Sequence, residues 1–336
     1  MEKIRVCVVG CGSISVMHLD SIKLLPQSKL VGVCDIKEER AKKASEKYGA
    51  NWYTDYMEMF KSEKPDAVHI CLPHYLHTVV AMDAFKMGIN VISEKPMSID
   101  YASAEAAVEF AENKNLKYGV IFQCRYNTPA IIVKRRIEEG KLGRVKCSRV
   151  ILTWHRPDDY YDTSDWKGTW EKEGGGVVID QAIHSLDLAN WFINSTPIEV
   201  QSALHIRNHS KLVVEDTAEG LIKYENGSLL AFYAMNNYLI DDTIEIRMVC
   251  ENGNAVVSYD NATIKYYNGE VEEFDNRPQT QVMYSGGKEY WGSQHATQIE
   301  QFYRSVLGEE ELEISGKEAL KIQKIVCEIY KNKPEL

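Results

Sequence analysis

The sequence predicts an α/β chain in which a doubly wound parallel sheet precedes an α+β half built on a large, mainly antiparallel sheet. Three observations carry this. Short apolar runs alternate with helical patterns from residue 4 to about 122. A Gly-x-Gly turn, Gly10-Cys11-Gly12, follows the first run. After Gln123 the texture changes to long β-rich segments joined by Asn-Gly turns.

In the first half, 4–9 is continuously apolar, as a strand buried on both faces should be. A helical stretch to about Leu25 leads to a second apolar run, 30–34, ending in Asp35. Residues 37–48 read as a charged amphipathic helix closed by Gly49. Strands are expected at 67–72, 89–93 and 118–122, with helices at 75–87 and 102–112 between them. In the second half a helix at 129–139 stops at Gly140. Strands then follow at 145–154, 200–206, 218–224, 228–234, 244–249 and 255–259. Glu225-Asn226-Gly227 and Glu251-Asn252-Gly253 are hairpin signals. Helices are expected at 177–192, 294–306 and 317–330. With no linker or repeat in view, the expected domains are 1–123 and 124–336, the last helix being free to pack back on the first.

The formal charge of −10 argues against broad contact with nucleic acid or anionic membrane. The eight cysteines are scattered and form no Cys-x-x-Cys pair, which argues for a reducing compartment and against a structural zinc site. The N-terminal apolar run is too short for a signal-peptide core, and no run of about 18 apolar residues occurs. A cytoplasmic location is the expectation.

A strand before Gly10-Cys11-Gly12 and a helix after it is the context of a Rossmann dinucleotide site. Gly10 allows the tight turn and Gly12 lets backbone amides, including those of Ser13 and Ile14, approach the pyrophosphate at the helix N-terminus. Ser15 stands where glycine or alanine is usual, a modest packing cost. Asp35, 25 residues after Gly10, can accept from an adenosine ribose and repel a 2′-phosphate. With Ile36-Lys37 next and no arginine, NAD is favoured over NADP, although Asp35 could equally cap the following helix.

Strand C-termini in open α/β sheets face the ligand crevice, so Leu72, Pro73, His77, Glu94, Lys95 and Gln123 complete the expected cofactor site. His77 also fits a buried helix face, and Lys95 a surface turn. Asp180 and His184 lie one helical turn apart after Gly174-Gly175-Gly176, a plausible general base with its carboxylate, or a packed histidine. No third ligand at credible spacing accompanies them, so no metal is expected. Trp154-His155-Arg156, Tyr160, Tyr161 and Trp166 offer flat faces that suit sugar rings or a core.

Taken together the chain resembles the glucose–fructose oxidoreductase, inositol dehydrogenase and rhizopine-catabolism (Gfo/Idh/MocA) family nearly end to end. The resemblance rests on Gly10-Cys11-Gly12 with His18, Pro73-His74-Tyr75-Leu76-His77, Glu94-Lys95-Pro96 and Gln123-Cys124-Arg125-Tyr126-Asn127. It continues through Trp166-Lys167-Gly168-Thr169, the triple glycine, Asp180–His184, and Tyr290 to Phe302. It implies that Lys95 lies between nicotinamide and substrate with Glu94 behind it, and that His184 takes the substrate proton with Asp180 supporting it. The implied substrate contacts are Lys95, Arg125, Tyr126, Trp154, Arg156, Trp166, Asp180 and His184. A homodimer or homotetramer through the antiparallel sheet is implied as well. Ser15, and Cys124 where asparagine is frequent, depart from the pattern. The expected function is hydride transfer between NAD and a secondary alcohol of a sugar, cyclitol or sugar derivative. NAD-dependent glycoside hydrolysis through transient oxidation and non-catalytic NAD sensing are the alternatives.

Overall fold

Apolar runs too short to form helices pair into a six-stranded parallel sheet, because parallel strands covered by helices on both faces must be apolar throughout. The computed structural model describes residues 3–162, 164–207, 209, 212–258, 261–275 and 294–332. The strands are β1 (Ile4–Val9), β2 (Ser28–Cys34), β3 (Asn51–Tyr53), β4 (Ala67–Ile70), β5 (Asn90–Ser93) and β6 (Tyr118–Val120). Helices α1 (Ser15–Leu24), α2 (Glu38–Tyr48), α3 (Tyr56–Glu63), α4 (His77–Lys86) and α5 (Tyr101–Asn113) connect them. The order β3-β2-β1-β4-β5-β6 reverses between β1 and β4, the switch point at which such sheets bind dinucleotides. Strand β3 and helix α3 depart from the expected pattern. β3 is three residues long at the sheet edge and half exposed, so it carries no apolar run to read.

The second sheet has eight strands in the order β14-β13-β12-β11-β7-β10-β9-β8. They are β7 (Val145–Thr153), β8 (Pro197–His205), β9 (Thr217–Tyr224), β10 (Leu229–Met235), β11 (Glu245–Cys250), β12 (Gly253–Ser258), β13 (Asn261–Tyr266) and β14 (Val271–Asp275). Every pair is antiparallel except β7 with β10. The hairpin between β9 and β10 closes as its Asn-Gly predicts: Gly227 has φ 81° and donates to Tyr224 O at 2.9 Å. Alternate burial in β11 gives the sheet one covered and one open face. Helices α6 (Thr128–Glu138) and α8 (Ile183–Ile193) cover it; a short helix, α7 (Asp158–Asp162), follows β7. The two remaining helices are α9 (His295–Val306) and α10 (Gly316–Ile329).

The described residues divide into two units, 3–123 with 294–323, and 124–275 with 324–332, so the division falls within α10. In the first unit Ile299, Phe302 and Tyr303 of α9 join Ile4, Val6, Val8, Leu19 and Ile22 in one buried cluster. Among the described residues no helix is long and apolar enough to cross a membrane.

In the second unit Arg125 and Asp187 form a buried pair, Nε to Oδ2 at 2.7 Å and Nη2 to Oδ1 at 2.5 Å, with the guanidinium over the Trp191 ring. Removing one partner strands the other charge in a site where only 5% of Arg125 is exposed. Asp187→Ala is therefore expected to cost about 3–5 kcal/mol of unfolding free energy, measured by urea titration.

Candidate functional site

The cofactor crevice begins where β1 ends. Gly10 has φ +95°, and a Cβ there would stand 2.2 Å from the Cys71 carbonyl oxygen, so only glycine fits. Gly12 is different: a Cβ would meet nothing within 4 Å. Its open side, at the start of α1, is where backbone amides can be approached by an anion. Ser15 does more than tolerate its place, since its hydroxyl donates to Gly12 O at 2.6 Å and closes the first turn. Asp35 is buried at the end of β2. Its Oδ2 accepts from the Cys11 amide at 2.9 Å and its Oδ1 from the Lys37 amide at 2.8 Å. The carboxylate is thus clamped to the glycine turn, and both of its sequence readings, helix-start acceptor and crevice acid, are compatible with that position.

Leu72 lies beside Gly10, its side chain 3.2 Å from the position of a Gly10 Cβ. His77 is fully buried, with Nδ1 2.7 Å from Pro96 O and Nε2 2.7 Å from Leu72 O. Its ring is occupied by backbone, so it shapes the crevice by tying the end of β4 to the Glu94-Lys95-Pro96 turn. Pro73 opens the 3₁₀ turn His74–Leu76 that leads into α4. Glu94 is buried; its Oε2 accepts from the Lys95 amide at 3.3 Å, and the Lys95-Pro96 bond is cis. Burial raises the Glu94 carboxyl, but hydrogen bonds from His18 and His295 outweigh it and hold the group well below the usual range. Gln123 Oε1 is buried and has no hydrogen-bond partner among the described residues. An orphaned acceptor at the end of β6, an open glycine amide turn and a clamped acid together fit a dinucleotide.

The second unit carries Asp180 and His184, and here the local geometry differs from a plain helix. Val178–Ala182 is a π-helical turn that runs into α8, a wider coil of the kind found at functional sites. Glu215 stands at its start. Its carboxylate accepts from the amides of Gly176 at 2.9 Å and Val178 at 3.0 Å and from Tyr330 Oη at 2.7 Å, while the Tyr330 oxygen accepts from Ile179 N at 3.0 Å. A Cβ on Gly175 would collide with the Tyr330 ring, and one on Gly176 with Glu215 O, which is why both positions are glycine.

Asp180 is surrounded by donors. Its Oδ2 accepts from Tyr160 Oη at 2.7 Å and Gln181 Nε2 at 2.6 Å, and lies 3.3 Å from Lys167 Nζ. Lys167 also meets the Tyr160 hydroxyl and stands over the Tyr160 ring, 3.6 Å from its centroid, and 5.3 Å from that of Trp166. Burial and the Asp180 charge push the Tyr160 hydroxyl far up, so it stays a donor. Burial, then the Asp180 charge, likewise raises Glu173 well above the carboxylate range. Arg156 stacks on Trp154 and reaches Asp241 at 3.1 Å. Tyr126 lies in the 3₁₀ turn Gln123–Tyr126, whereas the neighbouring Arg125 is committed to Asp187. Lys95 belongs to the first unit, and Asp180 and His184 to the second. Lys167 is the functional candidate that spacing alone misses; its only signal was its place in Trp166-Lys167-Gly168-Thr169. Tyr290 lies outside the described residues.

Residues 4–122 match the family model described as "Oxidoreductase family, NAD-binding Rossmann fold", and residues 131–256 the "GFO/IDH/MocA C-terminal domain". The chain is 30% identical over 203 residues to an inositol 2-dehydrogenase of Rubrobacter xylanophilus, covering 59% of this chain and 55% of that one. It is 25% identical over 231 residues to a myo-inositol 2-dehydrogenase of Thermotoga maritima, covering 67% and 66%. The match thus spans less than two thirds of either relative. Among solved structures, the WlbA dehydrogenase from Bordetella pertussis, in complex with NADH and UDP-GlcNAcA, is similar over 98% of this chain and 96% of that chain, with a TM-score of 0.84 and 26% identity.

Burial pushes the Glu215 carboxyl up to about 7, against the hydrogen bonds it accepts. The folded state therefore holds this proton more tightly than the unfolded state, whose glutamate titrates near ~4.3. The stabilisation is complete below that value and is lost as pH rises through about 7. The Tm advantage of wild type over Glu215→Gln should accordingly narrow between about pH 5 and about pH 8 in calorimetric scans, and a widening gap would contradict the assignment.

Proposed function

Because this chain belongs to the GFO/IDH/MocA oxidoreductase family, we propose that it is an NAD-dependent dehydrogenase acting on a secondary alcohol of a sugar, cyclitol or sugar derivative. The observation that carries the reading is the alignment of Gly12, Asp35 and Glu94-Lys95 along the C-terminal edge of one parallel sheet. NAD, when bound, accepts or returns the hydride. Gly10, Gly12, Ser13 and Ile14 would hold its pyrophosphate, with Leu72, Pro73 and the Leu72–His77–Pro96 link forming the wall and Gln123 offering an acceptor. Asp35 favours NAD, because a 2′-phosphate would face its carboxylate.

In the mechanism we infer, Lys95 donates to the substrate oxygen and lowers the cost of the developing alkoxide. His184 accepts the hydroxyl proton, and Asp180 stabilises the imidazolium that results. Lys167, Tyr160 and Gln181 hold the Asp180 carboxylate in place through an ion pair and two hydrogen bonds. Trp154, Arg156, Trp166 and Tyr126 are assigned to the sugar-like body of the substrate. Arg125 is read as a substrate contact as well, positioned by the pairing of its Nε and Nη2 with Asp187. The inositol dehydrogenase relatives, and the UDP-GlcNAcA in the WlbA complex, make cyclitols and nucleotide sugars the first compounds to test. The second unit, residues 124–275 and 324–332, is read as the substrate domain, and the open face of its sheet as the contact between subunits.

The test is NADH absorbance on mixing enzyme and NAD with inositols, sugars, sugar acids and nucleotide sugars. NADH should accumulate with at least one of them. Lys95→Ala and His184→Ala should each lower kcat about 10²–10³-fold while NADH binding, followed by fluorescence, stays within a few-fold. Glycoside cleavage without NADH accumulation would replace this reading with transient oxidation, and NAD binding without any turnover would replace it with sensing.

A further inference from the structure

Behind Glu94 lies a line of buried groups that the proposed chemistry does not use. His18 of α1 places Nε2 3.0 Å from Glu94 Oε1, and its Nδ1 2.8 Å from His69 Nδ1 on β4. His69 Nε2 is in turn 2.8 Å from the Tyr303 hydroxyl on α9. His18, His69 and Tyr303 are all fully buried. His295, also on α9, approaches the same Glu94 oxygen at 3.4 Å.

Counting donors fixes the direction of this line. A neutral imidazole carries one N–H and one acceptor nitrogen, so two histidines joined Nδ1 to Nδ1 must hold their protons on opposite kinds of nitrogen. Either every proton points toward Glu94 or every proton points away, and the second arrangement requires a protonated carboxyl. Glu94 accepts from His18, His295 and the Lys95 amide, the surroundings of a carboxylate. The protons therefore run one way. Tyr303 donates to His69 Nε2, His69 Nδ1 donates to His18 Nδ1, and His18 Nε2 donates to Glu94. Burial lowers the pKa of both histidines, in keeping with neutral rings.

We infer that His18, His69 and Tyr303 are positioning residues for Lys95, a one-way hydrogen-bonded relay that pins Glu94 Oε1 so that Oε2 meets the Lys95 backbone. The inference rests on the reading of Lys95 as the residue at the reacting oxygen. The Glu94 carboxylate enforces the direction, and Tyr303 satisfies the far end of the line by donating to His69 Nε2. Without its hydroxyl, His69 Nε2 loses its partner in either tautomer, and the far end of the line loses the contact that holds the His69 ring. A His69 ring no longer held at Nε2 positions His18 less firmly, and the Glu94 side chain loses its fixed rotation.

The experiment has two parts. In imidazole ¹⁵N NMR of the wild type, His18 should carry its proton on Nε2 and His69 on Nδ1; the opposite pattern, or an imidazolium at either site, overturns the inference. In kinetics, Tyr303→Phe should lower kcat about tenfold with the NADH affinity little changed and only a modest fall in Tm. The same substitution in a Glu94→Gln background should have almost no further effect. Equal, multiplying losses in both backgrounds would mean that Tyr303 acts through general stability, and the relay would be rejected. Should Tyr303→Phe fail to fold, His18→Gln, which keeps a donor toward Glu94, should retain most of the activity that His18→Leu loses; equal losses would reject the relay. The NMR part needs no turnover, so a chain that oxidised no alcohol would end the proposed function while the tautomers alone decided the relay.

Discussion

Burying a carboxylate removes it from water at a cost of several kcal/mol, and the chain repeatedly meets that cost by drawing donors from distant parts of the sequence. Asp35 takes the amide of Cys11, Glu94 takes His18 and His295, Asp187 takes Arg125, and Glu215 takes Tyr330 and two amides. Asp180 takes Lys167, Tyr160 and Gln181. Each buried acid fixes the meeting point of two or three elements. The functional candidates stand on or beside these points, because a group that must be held still has to be built where the surrounding geometry is already determined.

Much of this architecture is legible in one sequence, for reasons that are local. The turn Gly10-Cys11-Gly12 is set by backbone sterics, and Asp35 by its distance along a βαβ unit. The apolar runs that become β1, β2, β4 and β5 are forced by burial on both faces. What escapes is what depends on partners far away in sequence. Strand β14, with Glu272, Glu273 and Asp275, is an edge strand whose charges hide its pairing. Arg125 gives no sign in the sequence of its buried pairing with Asp187, 62 residues later.

The π-helical turn shows the same limit inside the candidate site. The stretch from Val177 onward has helical periodicity, and nothing in that stretch announces that Asp180 sits on a widened coil. At its start, Glu215 and Tyr330 hold the amides of Gly176, Val178 and Ile179. Lys167 is hidden in another way. Its ammonium meets the rings of both Tyr160 and Trp166, an arrangement made by loop geometry rather than by any repeat. The glycines before the turn are legible as glycines, but their reason, room for a phenol ring and for a carbonyl, appears only in three dimensions.

Tyr330 also has a meaning for the order in which the molecule is made. A ribosome releases the strands of the first sheet early, yet their buried cluster stays open until Ile299, Phe302 and Tyr303 arrive. The segment bearing Asp180 waits longer still, since its clamp closes on a side chain about 150 residues downstream. During synthesis the strands of the first sheet are therefore made well before the α9 residues that complete their buried cluster.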